Sequence, residues 1–302
     1  MSEHPGASDI RCAVECAARG EPMAGTASTV RSWLLLENPG PWGIHALRDG
    51  RIPGGVGEEL RRRSADARVR VVMIRRPGRD TSSAATAFAI RSGPEEPWIE
   101  RLELERFEDS TTIDLDRLGR GEPLGHGERH HGAVFLVCTH GRHDPCCAEL
   151  GRPLATALAA AFPEETWESS HIGGDRFAGN LLVFPHGVYF GRVGPSQGPA
   201  VARSYLEGRL DLAHLRGRSC RPMPVQAAEH LLREREGLDR IEDVELEEAV
   251  GSDDGFVARF RTSAGRFEVR LAIDPGEPER LTCHSRQEER PPSYRALAIE
   301  RR

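Results

Sequence analysis

The stretch Val137-Cys-Thr-His-Gly-Arg-His-Asp-Pro-Cys-Cys-Ala148 decides the fold of this chain and the kind of site it holds. An apolar run leads into it and predicts a buried strand that ends at Cys138. Asp144 is a favourable N-cap, and the proline after it suits the first helical position, so a helix is predicted to begin here. Cys146 and Cys147 then lie in the first turn, where free N–H groups and the helix dipole favour a thiolate.

A second polar motif, His-Ile-Gly-Gly-Asp, lies further along the chain at residues 171–175. Eight residues separate Cys138 from Cys147, twenty-three separate Cys147 from His171, and three separate His171 from Asp175. Two short loops therefore offer two soft sulfurs, one imidazole and one carboxylate. In a chain that we expect in the reducing cytoplasm, this set of donors favours a metal or iron–sulfur site over a disulfide.

The bulk properties exclude several classes of protein. The net charge of −6 gives no sign of a nucleic-acid binder. No apolar run approaches the roughly 18 residues that a membrane span needs, and the start of the chain lacks the apolar core of a signal peptide. The 7 cysteines are few for 302 residues and odd in number, so a disulfide scaffold is not expected. We therefore expect a reduced, soluble, cytoplasmic protein without nucleic-acid or membrane partners.

The order of the predicted elements indicates an α/β (α+β) protein with two similar lobes. Strand, loop, helix, strand and hairpin follow one another in both halves of the chain. The helix that contains Cys147 is predicted to break and restart at Gly151 and Pro153. In the last segment, residues 225–235 predict a helix, and 281–284 predict a strand beside three others. The predicted units are an N-terminal segment (1–28), a first lobe (29–107), a linker (108–131), a second lobe with the metal site (132–222) and a small C-terminal α+β unit (223–302).

The two central motifs, together with Gly191-Arg-Val193, resemble the sucrase/ferredoxin-like family, whose relatives carry a thioredoxin-like [2Fe-2S] ferredoxin domain. The upstream stretches Arg19-Gly-Glu-Pro-Met-Ala-Gly-Thr26 and Glu37-Asn-Pro-Gly-Pro-Trp-Gly43 are similar to that family as well. The resemblance covers about residues 12–300. It implies two thioredoxin-like lobes, of which the second is ferredoxin-like.

Some relatives bind their cluster through two Cys and two His, with the histidines written His-x-Gly-Gly-His. Carried over by this resemblance, Cys138 and Cys147 match the thiolates, His171 matches the first histidine, and the second falls on Asp175. A carboxylate is a harder donor than imidazole, so it should lower the reduction potential and weaken binding of a soft cluster. Three roles stay open for Asp175: ligand, hydrogen-bond acceptor that orients His171, or salt-bridge partner of Arg176.

Other polar residues near these motifs are candidates for supporting roles. His140, His143, His186 and Cys146 are possible substitutes for a missing ligand. The remaining cysteines receive no role, and Cys12 and Cys16, at helical spacing, are expected to be ordinary thiols rather than a second metal site. The candidate supporting residues are Cys146, His140, Asp144, Gly173, Gly174, Arg176, Asn180 and Arg192.

The leading hypothesis is a ferredoxin-like electron carrier that binds one [2Fe-2S] cluster and serves an unidentified redox partner protein. One alternative is a thioredoxin-like thiol protein, although the chain has no Cys-x-x-Cys. A second alternative is a structural zinc-binding module, since four N, S and O donors suit tetrahedral zinc. Sugar hydrolysis is not predicted, because no pair of carboxyl groups is placed for it.

Overall fold

The computed structural model describes residues 11–78, 85–93, 96–252 and 255–302. Residues 1–10 of the predicted N-terminal segment lie outside the described residues. The α-helices are α1 (Cys12–Ala18), α2 (Ala46–Asp49), α3 (Val56–Ala67), α4 (Leu115–Arg120), α5 (Pro145–Ala161), α6 (Gly198–Leu206) and α7 (Met223–Glu236). Short 3-10 turns lie at Phe107–Thr112, Asp175–Phe177 and Ile241–Asp243. Among the described residues, every helix is too short or too polar to span a bilayer.

The strands form one large mixed sheet and one small antiparallel sheet. In chain order they are β1 (Ser32–Glu37), β2 (Val69–Arg75), β3 (Ala85–Arg91), β4 (Trp98–Leu104), β5 (Glu128–Arg129), β6 (Val134–Cys138), β7 (Thr166–Ser169), β8 (Leu181–Phe184), β9 (Val188–Phe190), β10 (Leu215–Arg218), β11 (Val244–Ser252), β12 (Gly255–Thr262), β13 (Gly265–Pro275) and β14 (Pro292–Arg301). Within the described residues, the large sheet has the order β10-β9-β8-β6-β7-β2-β1-β3-β4-β5. The predicted α/β class is confirmed.

Each half of the large sheet contains one parallel strand pair joined by a helix. In the first half, α3 connects β1 to β2, and in the second half α5 connects β6 to β7. The two halves meet where β2 runs antiparallel to β7, with Ile74 opposite Ser169 and Arg75 opposite Glu168. The two predicted lobes therefore share one continuous sheet; their thioredoxin-like character and their boundaries stay predictions.

One apolar cluster spans the junction between the two halves of the large sheet and stabilises their packing. The ring of Trp33 on β1 meets Phe184 on β8 edge to face, with 5.3 Å between ring centroids. Phe88 on β3 meets Trp167 on β7 in the same way, at 5.7 Å. All four side chains are buried. Because such large aromatic surfaces are removed from water together, the halves form a common core on this face of the sheet.

The helix α5 is continuous, so the predicted break at Gly151 and Pro153 is wrong. Pro153 is exposed, and so is Glu149, whose carbonyl loses its helical partner because proline has no N–H. Water can satisfy that carbonyl, which makes the proline tolerable. Gly151 is buried, and a Cβ at this position would lie only 2.0 Å from the carbonyl oxygen of Cys138. The glycine therefore allows close helix–strand packing rather than a break.

The C-terminal unit consists of α7 and the sheet β11-β12-β13-β14. The predicted strand at 281–284 is wrong: these residues form bends and a turn, and β11 completes the sheet instead. The glutamates of β11 obscure the alternation of apolar and polar residues that would indicate a strand in the sequence. In the structure they form ion pairs with arginines on β12. Arg259 bonds to Glu248, and Arg261 bonds to Glu245. The predicted linker 108–131 contains a 3-10 turn, α4 and β5.

Candidate functional site

The end of β6 and the start of α5 place two thiols against each other. Cys138, the last residue of β6, is 1% exposed, and Cys147 in the first turn of α5 is fully buried. The carboxylate of Asp144 caps the helix by accepting the N–H of Cys146 at 2.9 Å, as the sequence predicts. The close approach at Gly151 holds the helix against the strand end. The two predicted thiolate ligands are therefore neighbours.

The loop 171–175 is shaped by its two glycines. Gly173 and Gly174 have φ angles of +104° and +80°, which residues with side chains rarely adopt. A Cβ at Gly174 would also lie 2.3 Å from the guanidinium of Arg216. That guanidinium donates to the carbonyl of Gly173 at 3.0 Å and to Oδ1 of Asn180 at 2.7 Å, and the amide of Asn180 donates to the carbonyl of Gly174 at 2.8 Å.

Sequence analysis missed Arg216, although it is the fully buried cation beneath this loop. Burial lowers its pKa to about 10. Its donors are used by backbone carbonyls and by Asn180, so it fixes the shape of the loop. Nothing in the local pattern Leu-Arg-Gly-Arg of β10 distinguishes it from a surface arginine. Asn180, one of the candidate supporting residues, lies between Arg216 and the carbonyl of Gly174.

The structure brings all four predicted ligands together. The Sγ atom of Cys147 lies 3.0 Å from Oδ1 of Asp175, and Nδ1 of His171 lies 2.9 Å from the same oxygen. The donor atoms of Cys138, Cys147 and His171 lie within 4.8 Å of one another. Asp175 faces this group and not Arg176, which pairs with Glu21. The salt-bridge role that was left open for Asp175 with Arg176 is therefore wrong.

Two further histidines of the first motif surround His171. The ring of His143 stacks on that of His171 with 3.8 Å between centroids, and its Nε2 lies 3.6 Å from Oδ2 of Asp175. The donor atoms of His143, His171 and Asp175 lie within 4.8 Å of one another, so His143 joins the candidate ligands. His140 has both ring nitrogens engaged, one with the Gly43 carbonyl at 2.8 Å and one with the backbone N–H of His171 at 3.1 Å. It therefore supports the loop.

The contacts within the group fix its charges. A hydrogen bond with the Cys147 thiol lowers the pKa of Cys138 well below its ordinary value and raises that of Cys147. Burial opposes the charged form of His171, yet its contacts with Asp175 and Cys138 raise its pKa to about 9. Burial would raise the pKa of Asp175, but its close contact with the ring of His171 lowers it. The contacts within the group thus favour the charged forms of Cys138, His171 and Asp175 and the neutral form of Cys147.

The group is enclosed on its sulfur side and open on its histidine side. Cys138, Cys147 and Asp175 are buried. The side chains of His171 and His143, in contrast, are 27% and 24% exposed. Any metal centre held here would therefore reach solvent through its imidazole edge.

The other candidates lie elsewhere. Cys146 points away from Cys147 toward Cys12 and Cys283, and Asp144 faces the same group. Arg192 donates to the carbonyl of Cys16 in α1 and does not support the central group. His186 bonds to the hydroxyl of Tyr205 at 2.6 Å, so it is not a substitute ligand.

A sequence profile described as Sucrase/ferredoxin-like matches residues 23–217, which is most of the chain. The chain belongs to the sucrase/ferredoxin-like family. It is also similar to Altered inheritance of mitochondria protein 32 of Candida glabrata, with 27% identity over 121 residues, 35% of this chain and 37% of that protein. The chain thus spans little more than a third of that relative. No solved structure matches significantly.

In this member of the sucrase/ferredoxin-like family, the matched region contains the whole central group. Cys138, Cys147, His171, Asp175 and His143 all lie inside residues 23–217. The buried Cys, His and Asp donors are compatible with metal binding. Cys12 and Cys283 lie outside the matched region.

Proposed function

We propose that the protein is an electron carrier that holds one [2Fe-2S] cluster at Cys138, Cys147, His171 and Asp175. The observation that carries the proposal is the pairing of two buried thiols with a partly exposed imidazole at the junction of β6, α5 and the loop 171–175. When bound, the cluster supplies a one-electron redox couple. Soft sulfur and imidazole donors suit iron, and the family is described as ferredoxin-like.

The protein's own residues prepare the site for that role. The hydrogen bond between the two thiols lowers the pKa of Cys138, which favours its thiolate form as a ligand, and metal binding releases the protons that the remaining donors hold. Arg216 and His140 hold the loop, and the enclosed sulfur side excludes water. Asp175 supplies the fourth donor, with His143 beside it.

Electron transfer requires a partner, and the exposed histidine edge is the surface we assign to it. Arg142 is exposed and adjacent in sequence to His143, and it lines a depression together with His140, Trp42, Arg75 and Arg152. A cationic rim favours association with an acidic redox protein through complementary potentials. This docking should weaken as ionic strength rises.

The decisive test is anaerobic reconstitution with iron and sulfide, followed by visible absorption and EPR spectra before and after dithionite. We expect charge-transfer absorption that bleaches on reduction and a rhombic signal in the reduced protein. Protein that folds but stays colourless and EPR-silent contradicts the proposal. Insulin reduction that disappears in Cys147→Ser would instead support a thiol enzyme.

A structural zinc ion is the second candidate, and one observation favours it. The donor atoms of Cys138, Cys147 and His171 all lie within 4.8 Å of one another, which is compact enough for a single tetrahedral ion. Protein produced in zinc-poor, iron-rich medium separates the two cases. The central group keeps iron and sulfide if it binds a cluster, and follows zinc supply if its role is structural.

A further inference from the structure

Three cysteines outside the predicted set of four ligands meet at one place in the structure. Cys12 is the first residue of α1, Cys146 lies in the first turn of α5, and Cys283 lies in the loop between β13 and β14. Their relative exposures are 0%, 2% and 2%. Cys283, which received no role from the sequence, thus lies in one buried group with Cys12 and Cys146. Asp144, also fully buried, completes the group.

The distances match one mononuclear ion better than a disulfide. The Sγ atom of Cys283 lies 3.4 Å from that of Cys146 and 3.5 Å from that of Cys12. A tetrahedral zinc ion with Zn–S bonds of about 2.3 Å separates two thiolates by about 3.8 Å. A disulfide would require about 2.0 Å. The four donor atoms lie within 4.8 Å of one another.

The carboxylate of Asp144 is fixed at this group by backbone donors. Its Oδ1 accepts the N–H of Cys146 at 2.9 Å, and its Oδ2 accepts the N–H of Cys283 at 2.7 Å. Its Oδ1 also lies 3.1 Å from the sulfur of Cys283. Backbone N–H groups of Ala13 and Cys12 point to the sulfurs of Cys146 and Cys283. Such N–H donors stabilise thiolates around a metal by orienting and hydrogen-bonding its ligands.

We propose that Cys12, Cys146, Cys283 and Asp144 bind one zinc ion at a site separate from the central group. On binding, the three thiols release their protons to solvent, and the ion offsets part of the negative charge of its ligands. Three sulfurs and one carboxylate oxygen form the closed tetrahedral set of a structural site. The ion would fasten α1 and the loop 276–291 to the start of α5.

The test uses the full chain with Cys138→Ser and Cys147→Ser, so that the central thiols bind nothing. We expect this protein to contain one zinc per chain by elemental analysis. Cobalt substituted for zinc should give thiolate charge-transfer absorption and the intense d–d bands of a tetrahedral site. Adding Cys12→Ser or Cys283→Ser should abolish the cobalt spectrum and the stoichiometric zinc. Cys220→Ser is the matched control, because Cys220 is buried but lies outside every donor group found among the described residues.

A second measurement covers the case in which the central substitutions prevent folding. In the otherwise unchanged chain, Cys283→Ser should lower the zinc content by one ion per chain and leave reconstituted iron at its original level. A zinc content that is the same in the parent and the Cys283→Ser protein overturns the proposal. So does folded protein without zinc in the first background, or a Cys146–Cys283 disulfide in protein isolated anaerobically. Failure of iron reconstitution alone bears on the central group and leaves this site intact.

Discussion

Cys146 and Cys147 are consecutive residues, yet their sulfurs belong to different donor groups. Cys147 contacts Asp175 at 3.0 Å, whereas Cys146 contacts Cys283 at 3.4 Å. Successive side chains in a helix point about 100° apart, since 3.6 residues complete a turn. The helix α5 thereby supplies one thiol to each of two sites on different sides of its first turn.

Because the two thiols belong to different donor groups, we expect their substitution to have opposite effects on the iron and zinc content. Cys147→Ser should lose nearly all iron on reconstitution, because the hydroxyl is a poor ligand for a soft cluster. Cys146→Ser should retain iron and lose zinc. Iron and zinc per chain, measured on the same samples, check both outcomes. Equal loss of iron in the two variants would show that the vicinal thiols do not act separately.

Replacing Asp175 by histidine should raise the reduction potential of the reconstituted protein. Imidazole is a neutral donor, so the oxidised state loses the stabilisation that an anionic carboxylate provides. The expected shift is positive and on the order of 100 mV. An EPR-monitored redox titration of the parent and Asp175→His measures it. A negative shift would mean that Asp175 is not a ligand in the parent protein.

Asp175→Ala should retain part of its iron, because His143 stacks on His171 and already faces the carboxylate at 3.6 Å. The double variant Asp175→Ala/His143→Ala should lose it. His186→Ala is the control, since His186 contacts Tyr205 instead. The measurement is the content of iron and acid-labile sulfide per chain in each variant. An iron-free single variant would exclude His143 as a replacement donor.

Arg216→Gln should lower cluster occupancy without touching a ligand. The shorter amide cannot make all the contacts of the guanidinium with Gly173, Asn180 and Thr26, so the loop 171–175 loses its support. Iron should be bound more weakly, which chelator competition measures, while far-UV circular dichroism stays unchanged. Arg203→Gln on α6 is the control. An unaltered rate of iron loss would exclude a positioning role for Arg216.

The sequence was sufficient to predict features that depend on residues close together along the chain. The N-cap Asp144 and the buried strand ending at Cys138 follow from periodicity and capping chemistry, and the family resemblance pointed to the four residues that meet in the central group. Contacts between distant segments were not accessible, because Cys12 and Cys283 are separated by 270 residues and meet only through the fold. Arg216 was missed for the same reason. Pro153 was misinterpreted because its effect on a helix depends on whether water reaches the freed carbonyl.

Glu229 on α7 should contribute strongly to stability. It is buried among Arg218, Arg221 and Arg233, and although burial alone would raise its pKa, these arginines lower it to about 2. Glu229→Gln leaves buried cations unpaired and should reduce the free energy of unfolding by about 3 kcal/mol at neutral pH. Urea unfolding measures this loss.

The pH dependence gives a check on the same carboxylate. Because the pKa of Glu229 is lower in the folded state, its contribution is present above about pH 4.5 and is lost as pH falls toward about 2. The stability difference between parent and Glu229→Gln should therefore shrink over that range. Glu234→Gln on the same helix is the control, since its side chain is 55% exposed. A difference independent of pH would contradict the assignment.

The antiparallel junction between β2 and β7 has a consequence for how the molecule opens. The backbone ladder there comprises the pairs Ile74–Ser169 and Arg75–Glu168, and it ends with the hydrogen bond from the Ser170 N–H to the carbonyl of Met73 at 2.8 Å, next to the loop 171–175. A ladder this short is a natural boundary between cooperative units. Amide hydrogens of Ser170 and His171 should exchange with solvent sooner than those in the centres of β1 and β6. Metal binding to the central group should slow that exchange. Binding of the metal and opening of the junction between the two halves are then thermodynamically linked.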